Sequence, residues 1–118
     1  MLAISTDKIF SHKIWHDISP RVKKVNFPMV EDPDGSISKS YGVFREGVTL
    51  RGTFIVDPKG IIQVVIIHNL PLGRNINEIY RVLKAAQYSA KHPNEGVPAN
   101  WKPGQKGVPT GIEYVGKL

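Results

Sequence analysis

Hydrophobic and polar positions along the chain follow the periods of short strands and helices. An apolar stretch over residues 2–6 predicts a strand at the start of the chain. Phe10 and Ile14 lie four residues apart and predict one apolar helix face. We expect Thr6 or Asp7 to cap this helix, because a short side chain with an oxygen atom can accept a hydrogen bond from a free N–H group at the helix start.

A second strand and a short helix are predicted next. Residues 27–30 form a short apolar stretch, and the acidic, proline and glycine residues over 31–35 favour a turn after it. Ile37 and Tyr41, again four residues apart, predict one or two helical turns that end at Gly42. This part of the chain therefore predicts a strand, a turn and a short helix in that order.

A hairpin and a longer helix follow. Residues 53–56 and 61–67 are rich in β-branched side chains, and the Asp-Pro-Lys-Gly sequence between them suits a hairpin turn. The second of these strands is apolar at nearly every position, so its edge is a candidate for pairing with another chain. Asn75, followed three residues later by Glu78, predicts a capped helix that runs to about residue 87.

The order of these elements predicts an α/β fold, in which a sheet carries an antiparallel hairpin at one end. From residue 91 onward the chain is rich in Pro and Gly, which argues against regular structure there. We therefore divide the chain into residues 1–90, which carry the α/β elements, and a C-terminal arm over residues 91–118.

Composition narrows the range of functions. The chain has 118 residues, a formal net charge of +6 and no cysteine. These residues therefore hold no disulfide, no thiolate nucleophile and no cysteine zinc site. The net positive charge raises the question of a nucleic-acid partner. However, the lysines of the basic second half are spaced along the chain and not clustered, so the sequence weighs against one.

The sequence also argues against a membrane partner. No apolar run reaches the ~18 to 20 residues that span a bilayer. The start of the chain has no basic segment followed by an apolar one, as a secretory signal would have. We expect a soluble cytoplasmic protein.

Two groups of residues could carry chemistry. His12 and His16 have the H-x-x-x-H spacing of zinc hydrolases, but Lys13 stands where such enzymes need a glutamate base, and no third ligand is evident. Two surface or capping histidines are the simpler interpretation, and we expect no metal. Arg51 and Arg74 lie at the ends of predicted elements, where a guanidinium can face a pocket or form an ordinary surface salt bridge.

Four stretches make the chain recognisable: Tyr-Gly-Val at 41–43, Arg-Gly-Thr-Phe-Ile-Val-Asp at 51–57, Asn-Leu-Pro-Leu-Gly-Arg at 69–74 and Pro-Ala-Asn-Trp-Lys-Pro-Gly at 98–104. With these stretches the chain resembles the peroxiredoxins of the alkyl hydroperoxide reductase and thiol-specific antioxidant group. The resemblance runs in order from the first strand, through Phe-Ser-His-Lys-Ile-Trp at 10–15 and the Asp-Pro-Asp-Gly turn at 32–35, to about residue 107.

The resemblance implies a thioredoxin-like fold, of which residues 1–90 would be a part. It implies a thiol peroxidase that reduces hydrogen peroxide and alkyl hydroperoxides through a cysteine sulfenic acid. Arg51 matches the family's active-site arginine, which holds the peroxidatic thiolate and the peroxide oxygens. Arg74 matches a second arginine that braces that pocket through a glutamate in the family's N-terminal part. The resemblance implies no cofactor.

Two departures from the family stand out. The family's peroxidatic cysteine lies on a helix before the strand that residues 2–6 match, and this segment is not among the 118 residues. Val97 stands where two-cysteine members carry the resolving cysteine. The fold is therefore expected to be incomplete, without the central strand and the peroxidatic helix. The flanking strands would then stand about 10 Å apart, twice the spacing of paired strands. We expect that this chain does not fold in the family's manner as an isolated monomer.

Two interpretations follow. The leading one is the C-terminal part of a peroxiredoxin, inactive alone, which needs an N-terminal peroxiredoxin fragment that supplies the cysteine. The alternative is a non-catalytic interaction or regulatory protein that pairs with another copy of itself and forms a homo-oligomer. Whether the chain takes part in catalysis is open at this point.

Overall fold

The computed structural model describes residues 1–117 and contains two compact units. The first unit consists of Met1–Gly52 and Ile67–Leu72, and the second consists of Thr53–Ile66 and the chain from Gly73 onward. Each unit is described by itself below.

Within residues 1–117 the chain forms three α-helices and eight strands. The helices are α1 (Ile9–Ile18), α2 (Ser36–Ser40) and α3 (Ile76–Lys91). The strands are β1 (Ala3–Ser5), β2 (Met29–Glu31), β3 (Phe44–Arg45), β4 (Val48–Thr49), β5 (Arg51–Val56), β6 (Ile62–His68), β7 (Glu95–Gly96) and β8 (Val108–Pro109). Short 3₁₀ turns cover Val22–Lys24 and Ile112–Tyr114. The predicted strands and helices up to α3 occur in the predicted order, but the structure adds the short pair of β3 and β4, which the sequence pattern did not predict.

The first unit starts with a strand–helix–strand crossover. β1 pairs in parallel with β2, with Ala3 opposite Met29, and α1 connects the two strands. The predicted cap of α1 was wrong. Lys8 occupies the cap position without a side-chain bond, and the carboxylate of Glu31 accepts a hydrogen bond of 2.7 Å from the backbone N–H of Ile9. A residue on the neighbouring strand thus performs the task that local spacing assigned to Thr6 or Asp7.

Asp32 connects β2 to the elements that follow it. Its side chain is only 2% exposed. Its carboxylate accepts hydrogen bonds from the backbone N–H of Ile37 at 3.0 Å and of Ser38 at 2.8 Å, and from the Ser38 hydroxyl at 2.6 Å. The Ser38 hydroxyl also bonds the Thr49 hydroxyl at 2.6 Å. The turn that the sequence predicts over 31–35 therefore leads into α2, which Asp32 caps and ties to β4.

The second unit contains the predicted hairpin and the long helix. β5 and β6 pair, and the carboxylate of Asp57 accepts hydrogen bonds from the backbone N–H groups of Lys59 and Ile61 in the turn. The predicted cap of α3 is confirmed, because the side chain of Asn75 accepts a hydrogen bond of 3.2 Å from the N–H of Glu78. The helix runs four residues past the predicted end, to Lys91, since no glycine or proline interrupts the chain before Pro93.

The segment after α3 is more regular than its composition suggests. The prediction that it has no regular structure was wrong, because β7 and β8 form a short antiparallel pair. Trp101 is only 3% exposed, and its indole N–H donates to the carbonyl oxygen of Gln105 at 2.9 Å. The hydroxyl of Tyr88 donates to the carboxylate of Glu95 and accepts from the backbone N–H of Gly107 at 2.8 Å. These contacts hold the arm on α3. The boundary at residue 90 stays a prediction.

The strands do not merge into one sheet within residues 1–117. They form four separate two-stranded sheets, and β1 hydrogen-bonds only to β2 in this part of the chain. The other edge of β1 therefore presents backbone N–H and C=O groups without a strand partner among residues 1–117. An isolated pair of strands is marginally stable in water, so this edge is a point at which further structure can add.

The hydrogen bonds to the Asp32 carboxylate predict how the stability of the fold changes with pH. Burial opposes the ionisation of Asp32, but the hydrogen bonds from Ser38 and Ile37 outweigh it and hold the pKa of this carboxyl below its usual value. We expect Asp32→Asn to lower the melting temperature of the folded protein by about 5–10 °C at neutral pH, measured by circular dichroism. The ionised carboxylate stabilises fully above the unfolded-state pKa of about 4. The difference from wild type should therefore shrink as the pH falls below about 4.

Asp17 is the matched control. It is half-exposed and pairs with Lys13 on the surface of α1 at 2.7 Å. Solvent screens such a pair, so Asp17→Asn should leave the melting temperature nearly unchanged. Equal losses for the two variants, or a difference for Asp32→Asn that persists at pH 2, would contradict the role assigned to the cluster.

Candidate functional site

Arg51 is the first residue of β5. A single hydrogen bond from its guanidinium group fixes the orientation of its side chain. Its Nε donates a hydrogen bond of 2.7 Å to the carbonyl oxygen of Leu70, in the loop after β6. Asn69 holds that loop in place, since its side-chain oxygen accepts from the N–H of Leu70 at 2.9 Å and its carbonyl accepts from the N–H of Leu72 at 2.9 Å. Arg51 is thereby oriented by a backbone carbonyl and not by an acidic side chain, so its positive charge is not neutralised by this contact.

The two Nη groups of Arg51 are the available part of the side chain. Among residues 1–117 they have no hydrogen-bond or ion-pair partner. The residue is exposed, and its guanidinium carries a positive charge. A planar pair of N–H donors with full charge can hold a thiolate or the oxygen atoms of a small polar substrate.

Arg74 is held by a hydrogen bond to a residue of β5. Its Nε donates to the hydroxyl of Thr53 at 3.2 Å, and it directly precedes Asn75, the cap of α3. Arg51 belongs to the first compact unit and Arg74 to the second. The two arginines are thus each fixed by a contact within their own unit. Neither partner, Leu70 nor Thr53, was named from the sequence.

Val97 follows β7 directly and carries no reactive group. It is partly buried and lines a cavity of about 380 Å³, together with Val82 and Ala86 of α3 and Pro98. The side chain is therefore a packing residue in the second unit. It has no sulfur atom that could react with an oxidised cysteine.

The histidine pair on α1 does not converge on one point. His12 is 6% exposed, and its Nε2 lies 2.7 Å from the hydroxyl of Ser5, which itself donates to the carboxylate of Asp7 at 3.0 Å. His16 contacts the carbonyl oxygen of Val25 at 3.4 Å. No group of three or more His, Asp or Glu side chains within residues 1–117 could hold a metal ion. The Ser5–His12 contact was missed from the sequence, because spacing along a helix does not show which side chain the adjacent strand places against it.

The arrangement can stabilise negative charge but cannot react by itself. A guanidinium beside a thiol lowers the pKa of that thiol and steadies charge that develops on a departing oxygen. The 118 residues contain no cysteine, so a sulfur atom at this site must come from outside them. Within residues 1–117 no helix is long and apolar enough to cross a membrane.

Two family models match the chain. The AhpC/TSA family model matches residues 1–65, and the model of the C-terminal domain of 1-Cys peroxiredoxin matches residues 85–112. The first match runs from β1 through β5 into β6, and the second covers the end of α3 and most of the arm.

Curated relatives match nearly the whole chain. Alkyl hydroperoxide reductase C of Pseudomonas aeruginosa (strain UCBPP-PA14) is 45% identical over 117 residues, which are 98% of this chain and 63% of that protein. The protein of the same name from Escherichia coli (strain K12) is 41% identical over 118 residues, with the same two coverages. The chain thus spans 63% of the length of these relatives.

Solved structures agree with the sequence comparisons. Reduced 2-Cys peroxiredoxin of Plasmodium vivax superimposes with a TM-score of 0.84 at 31% identity, over 90% of this chain and 56% of that one. AhpC of Enterococcus faecalis gives a TM-score of 0.77 at 35% identity, over 82% of this chain and 59% of that one. The predicted fold class is therefore confirmed, and the described residues form a mixed α/β part of the thioredoxin-like fold. The chain belongs to the AhpC/TSA family of peroxiredoxins.

Proposed function

We propose that this chain is the C-terminal part of a thiol peroxidase that reduces hydrogen peroxide and alkyl hydroperoxides. The observation that carries the proposal is Arg51, which Leu70 orients and whose two Nη groups have no partner among residues 1–117. The peroxidatic cysteine comes from an N-terminal peroxiredoxin segment outside the 118 residues, and the chain is inactive without it. Arg74, whose Nε donates to the hydroxyl of Thr53, has the supporting role that the family resemblance implies, toward a glutamate of the N-terminal segment.

The reaction assigns separate tasks to the two parts. The cysteine thiolate of the N-terminal segment attacks the nearer peroxide oxygen, so that an S–O bond forms and the O–O bond breaks. The sulfur is oxidised to a sulfenic acid, and the departing oxygen takes up a proton and leaves as water or as an alcohol. Arg51 supplies the positive charge, which keeps the thiol ionised and stabilises the charge on the departing oxygen.

The recycling step uses an external thiol. In the proposed site Val97 stands at the position of the resolving cysteine, and it offers no sulfur for an internal disulfide. An external thiol attacks the sulfenic sulfur and releases water, and a second thiol then reduces the mixed disulfide. The match of residues 85–112 to the C-terminal domain of 1-Cys peroxiredoxin supports this one-cysteine cycle.

A second candidate function is a non-catalytic homo-oligomer. The observation that favours it is the apolar strand β6, where Ile62, Val65 and Ile67 are each between 46% and 49% exposed. A strand with exposed apolar side chains is suited to pairing with a second copy of the chain. Such a protein would bind or regulate intact peroxiredoxins without a peroxidatic role.

Complementation tests the proposal directly. We expect peroxide consumption by the cysteine-bearing N-terminal segment to rise at least about tenfold when this chain is added in equal amount. The reason is that Arg51 then supplies a positive charge beside the thiolate. The rate is followed with an external thiol as reductant. A folded homo-oligomer of this chain that leaves the rate of the segment unchanged would support the second candidate and contradict the first.

The role of Arg51 makes a sharper prediction within the active complex. Arg51→Gln should lower the second-order rate constant for peroxide by about 100-fold, because the positive charge at the thiolate is lost. The pKa of the cysteine, followed by thiolate absorbance, should rise in the same variant. Arg45 is the matched control, since it is exposed and forms an ion pair with the exposed Glu46 at 3.7 Å. Arg45→Gln should change neither the rate constant nor the pKa of the cysteine. An equal loss of rate in both variants would contradict the role proposed for Arg51.

Restoring sulfur at position 97 tests the one-cysteine cycle. We expect Val97→Cys to convert the sulfenic acid into a disulfide with release of water, so that non-reducing electrophoresis shows a covalent link to the N-terminal segment after one equivalent of peroxide. Ala99→Cys places a thiol two residues away and serves as the control, for which we expect no such link. A sulfenic acid that persists in Val97→Cys as it does in wild type would contradict the position assigned to residue 97.

A further inference from the structure

A cleft in the second unit lies between α3 and the loop of the arm. Lys84, Tyr88 and Lys91 recur on α3 at intervals of four and three residues, so they share one face of the helix. Lys106 lies on the opposite wall, in the loop that follows Trp101. The cleft encloses about 530 Å³, a volume in the range of sites for small ligands.

The three lysines of this cleft have no counter-ion. Lys84, Lys91 and Lys106 form no ion pair with any acidic side chain among residues 1–117. One carboxylate, that of Glu95, lines the cleft, and it accepts the hydroxyl proton of Tyr88. Like charges that share a cleft repel each other, and an anion between them would relieve that repulsion.

Some other cations on the helices are paired with acidic side chains, whereas Lys39 of α2 donates to the backbone carbonyl oxygen of Asp34. Lys13 of α1 contacts Asp17 at 2.7 Å, and Arg81 of α3 contacts Glu78 at 2.7 Å. Lys84 has no acidic residue four positions away. Glu95 is four positions after Lys91, but it lies beyond the end of α3 and accepts the hydrogen bond from the hydroxyl of Tyr88. The excess of basic over acidic residues in the second half of the chain is thus concentrated, in part, on this cleft.

The frame of the cleft is fixed by aromatic side chains. The rings of Tyr88 and His92 stack with their centres 4.0 Å apart and their planes 17° apart. The Nδ1 atom of His92 lies 2.9 Å from the carbonyl oxygen of Tyr88, which assigns a proton to Nδ1. Trp101 is buried with its ring centre 5.4 Å from that of Tyr88. The walls that carry the lysines are thus held by packing before a ligand arrives, which reduces the entropy lost on binding.

We propose that this cleft binds a ligand that carries two or more linked phosphate groups. The cleft has three ammonium groups and one carboxylate, so its positive charges outnumber its negative charges. An oligophosphate presents several charged oxygen atoms along its length. Lysine binds phosphate as a compact point charge, without the planar geometry that favours arginine for carboxylates. The site goes beyond the proposed peroxidase function, because peroxides carry no charge for three lysines to bind.

An oligophosphate reaches the cleft from one of two sources, an inorganic chain or a nucleotide. The stacked rings of Tyr88 and His92 offer a flat surface that a base could contact. Tripolyphosphate, ATP and adenosine, titrated separately into the folded protein by calorimetry, distinguish the sources. Tripolyphosphate and ATP should both bind and adenosine alone should not. Equal affinities for the first two would assign the site to the phosphate chain, and tighter binding of ATP would assign it to a nucleotide.

Paired substitutions locate the site. Lys84→Gln combined with Lys91→Gln should weaken tripolyphosphate binding by at least about tenfold, which corresponds to the loss of about 1.4 kcal/mol. Lys23→Gln combined with Lys24→Gln removes the same charge from the 3₁₀ turn of the first unit and should leave the affinity unchanged. Circular dichroism confirms that both double variants are folded. Failure of wild type to bind tripolyphosphate at millimolar concentration, or equal weakening in the two double variants, would overturn the proposal.

Discussion

The unpaired edge of β1 is the constraint on which the rest of the structure depends. Backbone N–H and C=O groups of a strand need hydrogen-bond partners, and β1 pairs only with β2 among residues 1–117. The helix that connects these two strands also turns apolar side chains outward: Phe10 is 75% exposed and Ile18 is 73% exposed. A strand edge and an apolar helix surface in one unit are jointly suited to a further strand and helix. The proposed N-terminal segment satisfies both needs at once, which links the folding of this chain to the arrival of its cysteine.

The same arrangement separates electrostatics from redox chemistry. Arg51 is held by a backbone carbonyl of the chain itself, so its orientation does not depend on an acidic partner that would neutralise it. The reactive thiol, in contrast, is absent, because the 118 residues contain no cysteine. In the proposed enzyme the chain therefore contributes a charge that is in place before the thiolate arrives. Preorganised charge is effective in catalysis because no reorganisation energy is spent when the reaction begins.

Short-range patterns in the sequence predicted local structure. They did not predict contacts between residues that are far apart in the sequence. The cap of α3 was predicted because Asn75 and Glu78 are three residues apart. The cap of α1 was not, because Glu31 lies 22 residues from the helix start and reaches it only after β2 pairs with β1. The order in the arm was missed for the same reason, since it rests on contacts of Tyr88 with the distant Gly107. For Arg51, family resemblance gave the position, but its partner Leu70 is 19 residues away and is visible only in the fold.

In the proposed peroxidase cycle, the residue at position 97 decides whether the arm has to move. A resolving cysteine at position 97 has to bring its sulfur within about 2 Å of the oxidised sulfur, so its segment must be able to move. With valine at this position that movement has no chemical purpose. The hydrogen bond from Tyr88 to Glu95 and the burial of Trp101 hold the arm against α3. The hydrogen bond to Glu95 also raises the pKa of Tyr88, so the hydroxyl stays protonated and able to donate across the physiological range. These contacts order the arm beside α3, and they hold the walls of the cleft that Lys84, Lys91 and Lys106 line.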